Sequence, residues 1–235
     1  HRRFNEDFWV RDSQYYALAL DGSGQQVAAV TTNPAHCLWT GLIDPAKAEH
    51  VCARLMADDI SSGWGLRTMS DLNPRFNPLG YHLGTVWPHD NSIAAMGLKM
   101  YDMDDALMEV STALFEAAVA FPYFRLPELF SGDRRTPHSP PVPYPVACRP
   151  QSWAAGAVPL VTQALLGLKA EAPEHRLRIV NPRLPHWLNS VHVRGLRVGT
   201  GNVSLLYRRD GAKTRVEVQD ATAGLDVVVS SRWPL

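Results

Sequence analysis

At 235 residues the chain can bury a sizeable core, as one large domain or one and a half small ones. Lys plus Arg and Asp plus Glu are both 23, so the formal charge is zero, and no Lys/Arg block occurs. That excludes nucleic acid and an anionic membrane surface as expected partners and favours neutral substrates.

The first residues, His1 to Trp9, are polar and aromatic and do not read as a signal peptide, and no apolar run reaches bilayer length. With no starting Met, the sequence reads as a piece of a longer protein. Asn33-Pro34-Ala35 opens a predicted helix carrying His36, Cys37, Leu38 and Leu42, and Asp44-Pro45-Ala46 opens the next, with Ala48, Val51, Cys52, Leu55 and Met56 as its apolar stripe. Asp90 or Asn91 is expected to cap a helix through Tyr101, and Asp104 or Asp105 a longer one through Phe121. Gln151 to Leu168 reads as the most apolar helix, buried on nearly all sides. The connections from Met56 to Pro88 and from Pro122 to Pro150 are far longer than ordinary loops, and their aromatic content argues against disorder.

Beyond Arg176 the spacing predicts strands at 177–180, 190–193, 202–208, 214–218 and 225–229, with a hairpin turn at Arg209-Asp210-Gly211-Ala212. Two domains are expected, 1–172 helical and 173–235 a small antiparallel β appendage. Cys37, Cys52 and Cys148 are widely spaced with no C-x-x-C pair; Cys37 and Cys52 read as buried thiols, and a reducing cytoplasm is the expected location.

The chemistry concentrates in the long loops. Tyr81-His82-Leu83-Gly84-Thr85-Val86-Trp87-Pro88-His89-Asp90-Asn91 places rings, imidazoles, a carboxylate and an amide on one segment, and Arg125-Leu126-Pro127-Glu128-Leu129-Phe130 adds a second carboxylate. Sugar sites combine flat apolar faces, short polar groups and a carboxylate that handles water. An inverting glycosidase needs two carboxyl groups roughly 6.5–9.5 Å apart, an acid for the departing oxygen and a base for the water. Glu128 is the candidate base. Read alone, its plainer role is a helix cap or a partner of Arg125. Aromatic neighbours would raise its pKa and Arg125 would lower it, with the net direction open. Trp87 and Asp90 have a structural reading too, as staple and cap of the following helix. Ser61-Ser62-Gly63-Trp64-Gly65-Leu66-Arg67-Thr68 offers a third wall, or a plain tight turn with Trp64 in the core. His89 lacks a His or Cys partner at metal-ligand spacing, and no Gly-x-Ser-x-Gly elbow is present.

Six ordered segments resemble one known group. They are Phe8-Trp9 to Asp21-Gly22, Thr32-Asn33-Pro34, Ser62-Gly63-Trp64-Gly65-Leu66-Arg67-Thr68, Gly84-Thr85-Val86-Trp87-Pro88-His89-Asp90-Asn91, Leu126-Pro127-Glu128-Leu129-Phe130 and Tyr144 to Ala157. Together they are similar to the bacterial glycogen-debranching, amylo-α-1,6-glucosidase-like enzymes, relatives of glucoamylases, trehalases and mannosylglycerate hydrolases. The resemblance implies a mainly α fold, the C-terminal half of an (α/α)6 toroid of helical hairpins with a small antiparallel β appendage. It implies hydrolysis of an α-glucosidic bond in an oligo- or polysaccharide with inversion, Glu128 being the base. Trp64, Trp87 and Trp153 would shape the pocket, and Arg67, His89 and Asp90 would bond hydroxyls. The family's general acid, an Asp in a Trp-x-Asp motif, has no counterpart here, so the missing N-terminal half of the domain is the expected partner. A non-catalytic sugar-binding remnant, or a small glycoside such as mannosylglycerate as substrate, are the rival expectations. No cofactor or metal is implied. Leu83 and Asp133 depart from the family pattern.

Overall fold

The computed structural model describes residues 1–234. They form two compact units, His1–Val161 and Thr162–Leu235, with the boundary inside helix α6 (Ser152–Leu166).

The first unit opens with α1 (Arg2–Asp7) and two small hairpins, β1 (Trp9–Val10) with β2 (Tyr15–Tyr16) and β3 (Ala19–Leu20) with β4 (Gln26–Val27). Helix α2 (Asn33–Trp39) follows and stops before Leu42, because Gly41 turns left-handed with φ +68°. In α3 (Pro45–Leu55) the Asp44 carboxylate accepts from the Ala46 N–H at 3.0 Å, Pro45 fits the first turn, and Ala48, Val51 and Leu55 face the core. Helix α4 (Pro88–Met100) begins earlier than its expected cap: Trp87 is extended and Pro88 starts the first turn, leaving Asp90 and Asn91 inside the helix. Every residue from Asn91 to Lys99 is buried. A Cβ on Gly97 would lie 2.7 Å from Leu38 Cβ and 2.8 Å from the Trp39 nitrogen, so α2 packs on α4 where only glycine fits. Helix α5 (Asp104–Ala120) buries Leu107, Val110, Leu114, Ala117 and Ala118, the face its periodicity predicts.

The two long connections are laced by single main-chain bridges. Val86 and Phe130 exchange N–H···O bonds of 2.9 and 3.0 Å, Thr68 N–H donates to Thr85 at 2.9 Å, and Ser131 N–H donates to Val142 at 2.9 Å. Asn91, fully buried, adds a side-chain clasp. Its Oδ1 accepts from Leu66 N–H at 2.6 Å, while its Nδ2 donates to the carbonyls of Leu66 (3.0 Å) and Trp87 (2.9 Å). These loops therefore satisfy their buried polar backbone without regular strands.

In the second unit, β5 (Leu168–Glu171), β6 (Arg176–Val180) and β10 (Asp226–Ser230) form one sheet, and β7 (Ser190–Val198), β8 (Gly201–Asp210) and β9 (Lys213–Ala221) another. Alternate residues Val203, Leu205 and Tyr207 of β8 join Leu177 and Ile179 of β6 in a shared core. The predicted hairpin forms: Asp210 pairs with Lys213 across Gly211, whose φ is +61°.

The mainly α, half-toroid expectation is corrected. The chain is a mixed α/β fragment, about 32% helix and 26% strand, with four small sheets. Strands of two residues are too short for alternation to register, so the N-terminal hairpins escape a periodicity reading. Nor is the β region purely antiparallel, since β10 runs parallel to β6. Helix α6 is not enclosed either: Ala154 and Ala157 are buried, whereas Trp153, Ala155, Gly156, Val158 and Pro159 are exposed. Cys37 and Cys52 are half-buried rather than buried, and Cys148 is exposed. Among the described residues no helix is long and apolar enough to cross a membrane.

Candidate active site

Glu128 lies in the bridged loop just before Phe130 and is 8% exposed. Its main-chain N–H donates to the Cys148 carbonyl at 3.1 Å, and the Cys148 N–H returns a 3.1 Å bond to Oε2. The Tyr81 hydroxyl donates to Oε1 at 2.5 Å. Arg125 is not what holds this carboxylate; its guanidinium lies 5.8 Å from the Tyr123 ring. With donors on both oxygens, the carboxyl sits below the usual range, chiefly through the Tyr81 hydroxyl and then the Cys148 amide, against the opposing pull of burial. The same hydrogen bond acts reciprocally on Tyr81, whose phenol is pushed up to about 12, first by its bond to Glu128 and then by burial. Glu128 is thus ionised at neutral pH, as an acceptor of a proton must be.

Tyr81 links this carboxylate to an aromatic wall. Its ring meets Trp87 edge-on at 4.8 Å and His82 at 4.7 Å, and its carbonyl accepts from Trp87 Nε1 at 3.0 Å and Thr85 Oγ1 at 2.8 Å. Trp87 in turn meets Trp153 at 5.9 Å. His89 stacks on Trp153 at 4.3 Å, and its Nδ1 lies 3.3 Å from Asp90 Oδ1. Asp90 also faces His36 Nε2 at 3.5 Å, so one carboxylate sits between two imidazoles at the start of α4. Trp153 is 45% exposed. The structure therefore gathers Glu128, Trp87, His89, Asp90 and Trp153 into one connected group. Tyr81, the first ring of the 81–91 segment, also belongs to the group, and its bond to Glu128 is the part that the sequence did not reveal.

Two predicted residues stand elsewhere. Trp64 packs with Val86, Ala117, Phe121, Leu126 and Phe130, and the Arg135 guanidinium covers its ring at 4.2 Å. Arg67 is 2% exposed: its Nε donates to the Gly132 carbonyl at 2.6 Å, its Nη1 to the Asp58 carbonyl at 2.9 Å, and Asp71 lies 3.5 Å away. Arg67 braces the site loops and does not reach out to sugar hydroxyls. Replacing it with Met leaves the buried Gly132 carbonyl without its donor, while the Asp58 carbonyl keeps Arg134 Nη2 at 3.2 Å, and we expect a loss of about 1–3 kcal/mol in a denaturant melt. Equal stability of Arg67→Met and the parent would show that the Gly132 carbonyl finds another partner.

A cavity of about 580 Å³ opens between Pro122–Leu126 and Arg149–Val158; its lining brackets Glu128 in sequence without including that residue. Among the described residues no group of three or more His, Cys, Asp or Glu could hold a metal ion.

Comparison with known proteins identifies the family. The model of the mannosylglycerate hydrolase MGH1-like glycoside hydrolase domain matches residues 1–125, just over half of the chain. The chain belongs to that family. The match falls within the broad set of glycosidases that the sequence motifs indicate, and not specifically among the debranching enzymes. No curated protein matches. Among solved structures, the GH63 mannosylglycerate hydrolase from Thermus thermophilus in complex with Tris is 21% identical, with 66% of this chain and 35% of that one covered and a TM-score of 0.50. The GH78 family rhamnosidase of a Bacillus species is 11% identical, with 98% of this chain and 22% of that one covered and a TM-score of 0.64. At such identities the likeness is one of fold alone. The chain spans about a third of the length of the mannosylglycerate hydrolase.

Proposed function

We propose that this MGH1-like chain carries the water-activating side of an inverting glycoside hydrolase, with Glu128 as general base. The observation that supports it most is the Glu128 carboxylate, kept ionised by Tyr81 and Cys148 and joined through Tyr81 to the Trp87–Trp153–His89 wall. In the reaction, Glu128 takes a proton from a water as its oxygen attacks the anomeric carbon from the face opposite the departing group. Accepting that proton, the carboxylate neutralises and its bonds from Tyr81 and Cys148 weaken. A depressed pKa makes a weaker base, at about 1.4 kcal/mol per unit, but guarantees the charged form. The wall stacks the ring of the sugar, and His89 and Asp90 bond its hydroxyls. The general acid comes from sequence outside these residues, the N-terminal part of the same domain.

For substrate we take a small glycoside of the mannosylglycerate kind first, on the strength of the family match, and the α-1,6 branch of a glycogen-type glucan second, on the motif resemblance. Assaying the protein extended at its N-terminus on both classes separates them, by sugar released per unit time. The expected result is also stereochemical: proton NMR of the first-formed sugar shows the anomer opposite to that of the substrate. Retained configuration would remove the base role from Glu128. Sugar binding without hydrolysis of either class would make the chain a binding remnant.

A further inference from the structure

We infer that Tyr81 is a positioning residue for the reaction, holding the Glu128 carboxylate in register with the sugar-binding wall through opposite ends of one residue. This rests on the reading of Glu128 as base. The side-chain end is the 2.5 Å bond to Oε1, and the main-chain end is the carbonyl that accepts both Trp87 Nε1 and Thr85 Oγ1. Between them the ring touches Trp87 and His82 edge-on, at 4.8 and 4.7 Å, and Tyr144 at 5.9 Å. Nothing in the core needs this phenol: Tyr81 is 40% exposed, yet its polar and aromatic partners all lie in the site loops.

The consequence is a division of labour on the carboxylate. The Cys148 N–H, being main chain, fixes Oε2 with the loop itself. Tyr81 fixes Oε1 from the opposite loop, the one that also carries Trp87. A water bound for attack must lie within a few tenths of an ångström of its base and of the sugar carbon at once. A carboxylate with one oxygen released rotates about its last side-chain bond, and misplacement on the scale of 1 Å lowers rates on the order of 10²-fold.

Tyr81→Phe keeps the ring and its carbonyl and removes only the donor. In the N-terminally extended enzyme, kcat should fall on the order of 10²-fold with KM little changed. The acid limb of kcat should move to higher pH. The sign follows from the bond: the Tyr81 hydroxyl favours the charged carboxylate, so without it Glu128 takes up its proton at higher pH. A structural role alone would leave that limb in place. Two titrations of the present chain give readouts independent of turnover. The Glu128 carboxylate, followed by isotope-edited infrared, should protonate at higher pH in Tyr81→Phe. The Tyr81 phenol, followed by ultraviolet absorbance, should ionise at lower pH in Glu128→Gln. Unmoved titrations and an unmoved acid limb overturn the inference. Near-normal turnover of Glu128→Gln overturns the base assignment instead, whatever the titrations show.

Discussion

Glu128→Gln is expected to stop hydrolysis while leaving sugar binding in place. General-base catalysis contributes about 10²–10⁴-fold, and an amide cannot take the proton of water at neutral pH, so turnover should fall by about 10³-fold or more. The amide nevertheless fits. Both partners of the carboxylate are donors, and the Cys148 N–H cannot turn, so the amide oxygen must face it. The amide nitrogen then faces Tyr81, whose hydroxyl rotates to accept. Loop and wall are thereby kept, and calorimetric affinity for a sugar ligand should stay within a few-fold of the parent. Turnover within tenfold of normal would mean that another group activates the water.

The largest expected effect on stability comes from a residue with no side chain. A Cβ on Gly132 would stand 1.8 Å from the Gly84 carbonyl oxygen and 3.4 Å from Arg67 Cγ. Gly132 cannot retreat. Its N–H donates to Pro78 at 2.9 Å and its carbonyl accepts from the buried Arg67 Nε at 2.6 Å. Overpacking of a core costs about 1–3 kcal/mol; here the obstacle is backbone, so Gly132→Ala should lose about 3 kcal/mol or more. Its melting midpoint should drop by about 10 °C. Gly156→Ala in α6 is the matched control, since nothing lies within 4 Å of its added Cβ, and a helical position favours alanine. Equal melts for the two variants would show that the Gly84–Gly132 approach is not a true constraint. Because Gly84 stands between Tyr81 and Trp87, and Gly132 follows Glu128, this contact joins the Val86–Phe130 bridge in bringing the two site loops together.

What could be read from the residues depended on how local the cause was. Helices α3, α4 and α5 announced themselves because their apolar spacing and Pro-initiated or acidic starts act within one turn. The five strands β6 to β10 were legible from their short alternating runs, β8 and β9 also because Gly211 sits at a two-residue turn between them. The mixed character of the fold was not legible, because two-residue strands and single bridges such as Val86–Phe130 carry no period. The same division runs through the site. Glu128, Trp87 and His89 stood out as chemistry within one segment each. The direction of the carboxylate's pKa did not, because it is set by Tyr81 from 47 residues away and by a peptide N–H that has no letter in the sequence. Arg67 looked like a ligand-binding donor because a guanidinium fork suits both a hydroxyl and a carbonyl; only burial tells which it serves.

The peptide N–H of Cys148 has a further consequence for how such a site drifts over generations. Any residue except proline supplies the same hydrogen there, so a substitution at 148 keeps the main-chain grip on Oε2 and gives up only the thiol's own hydrogen bond to the carboxylate. What selection must conserve is spacing. A single residue gained or lost in the proline-rich stretch from Pro140 to Pro150 would slide another amide, or a carbonyl, into the slot beside Glu128. The vulnerable trait is thus the length of that stretch, and a comparison that scores letters alone would overlook it.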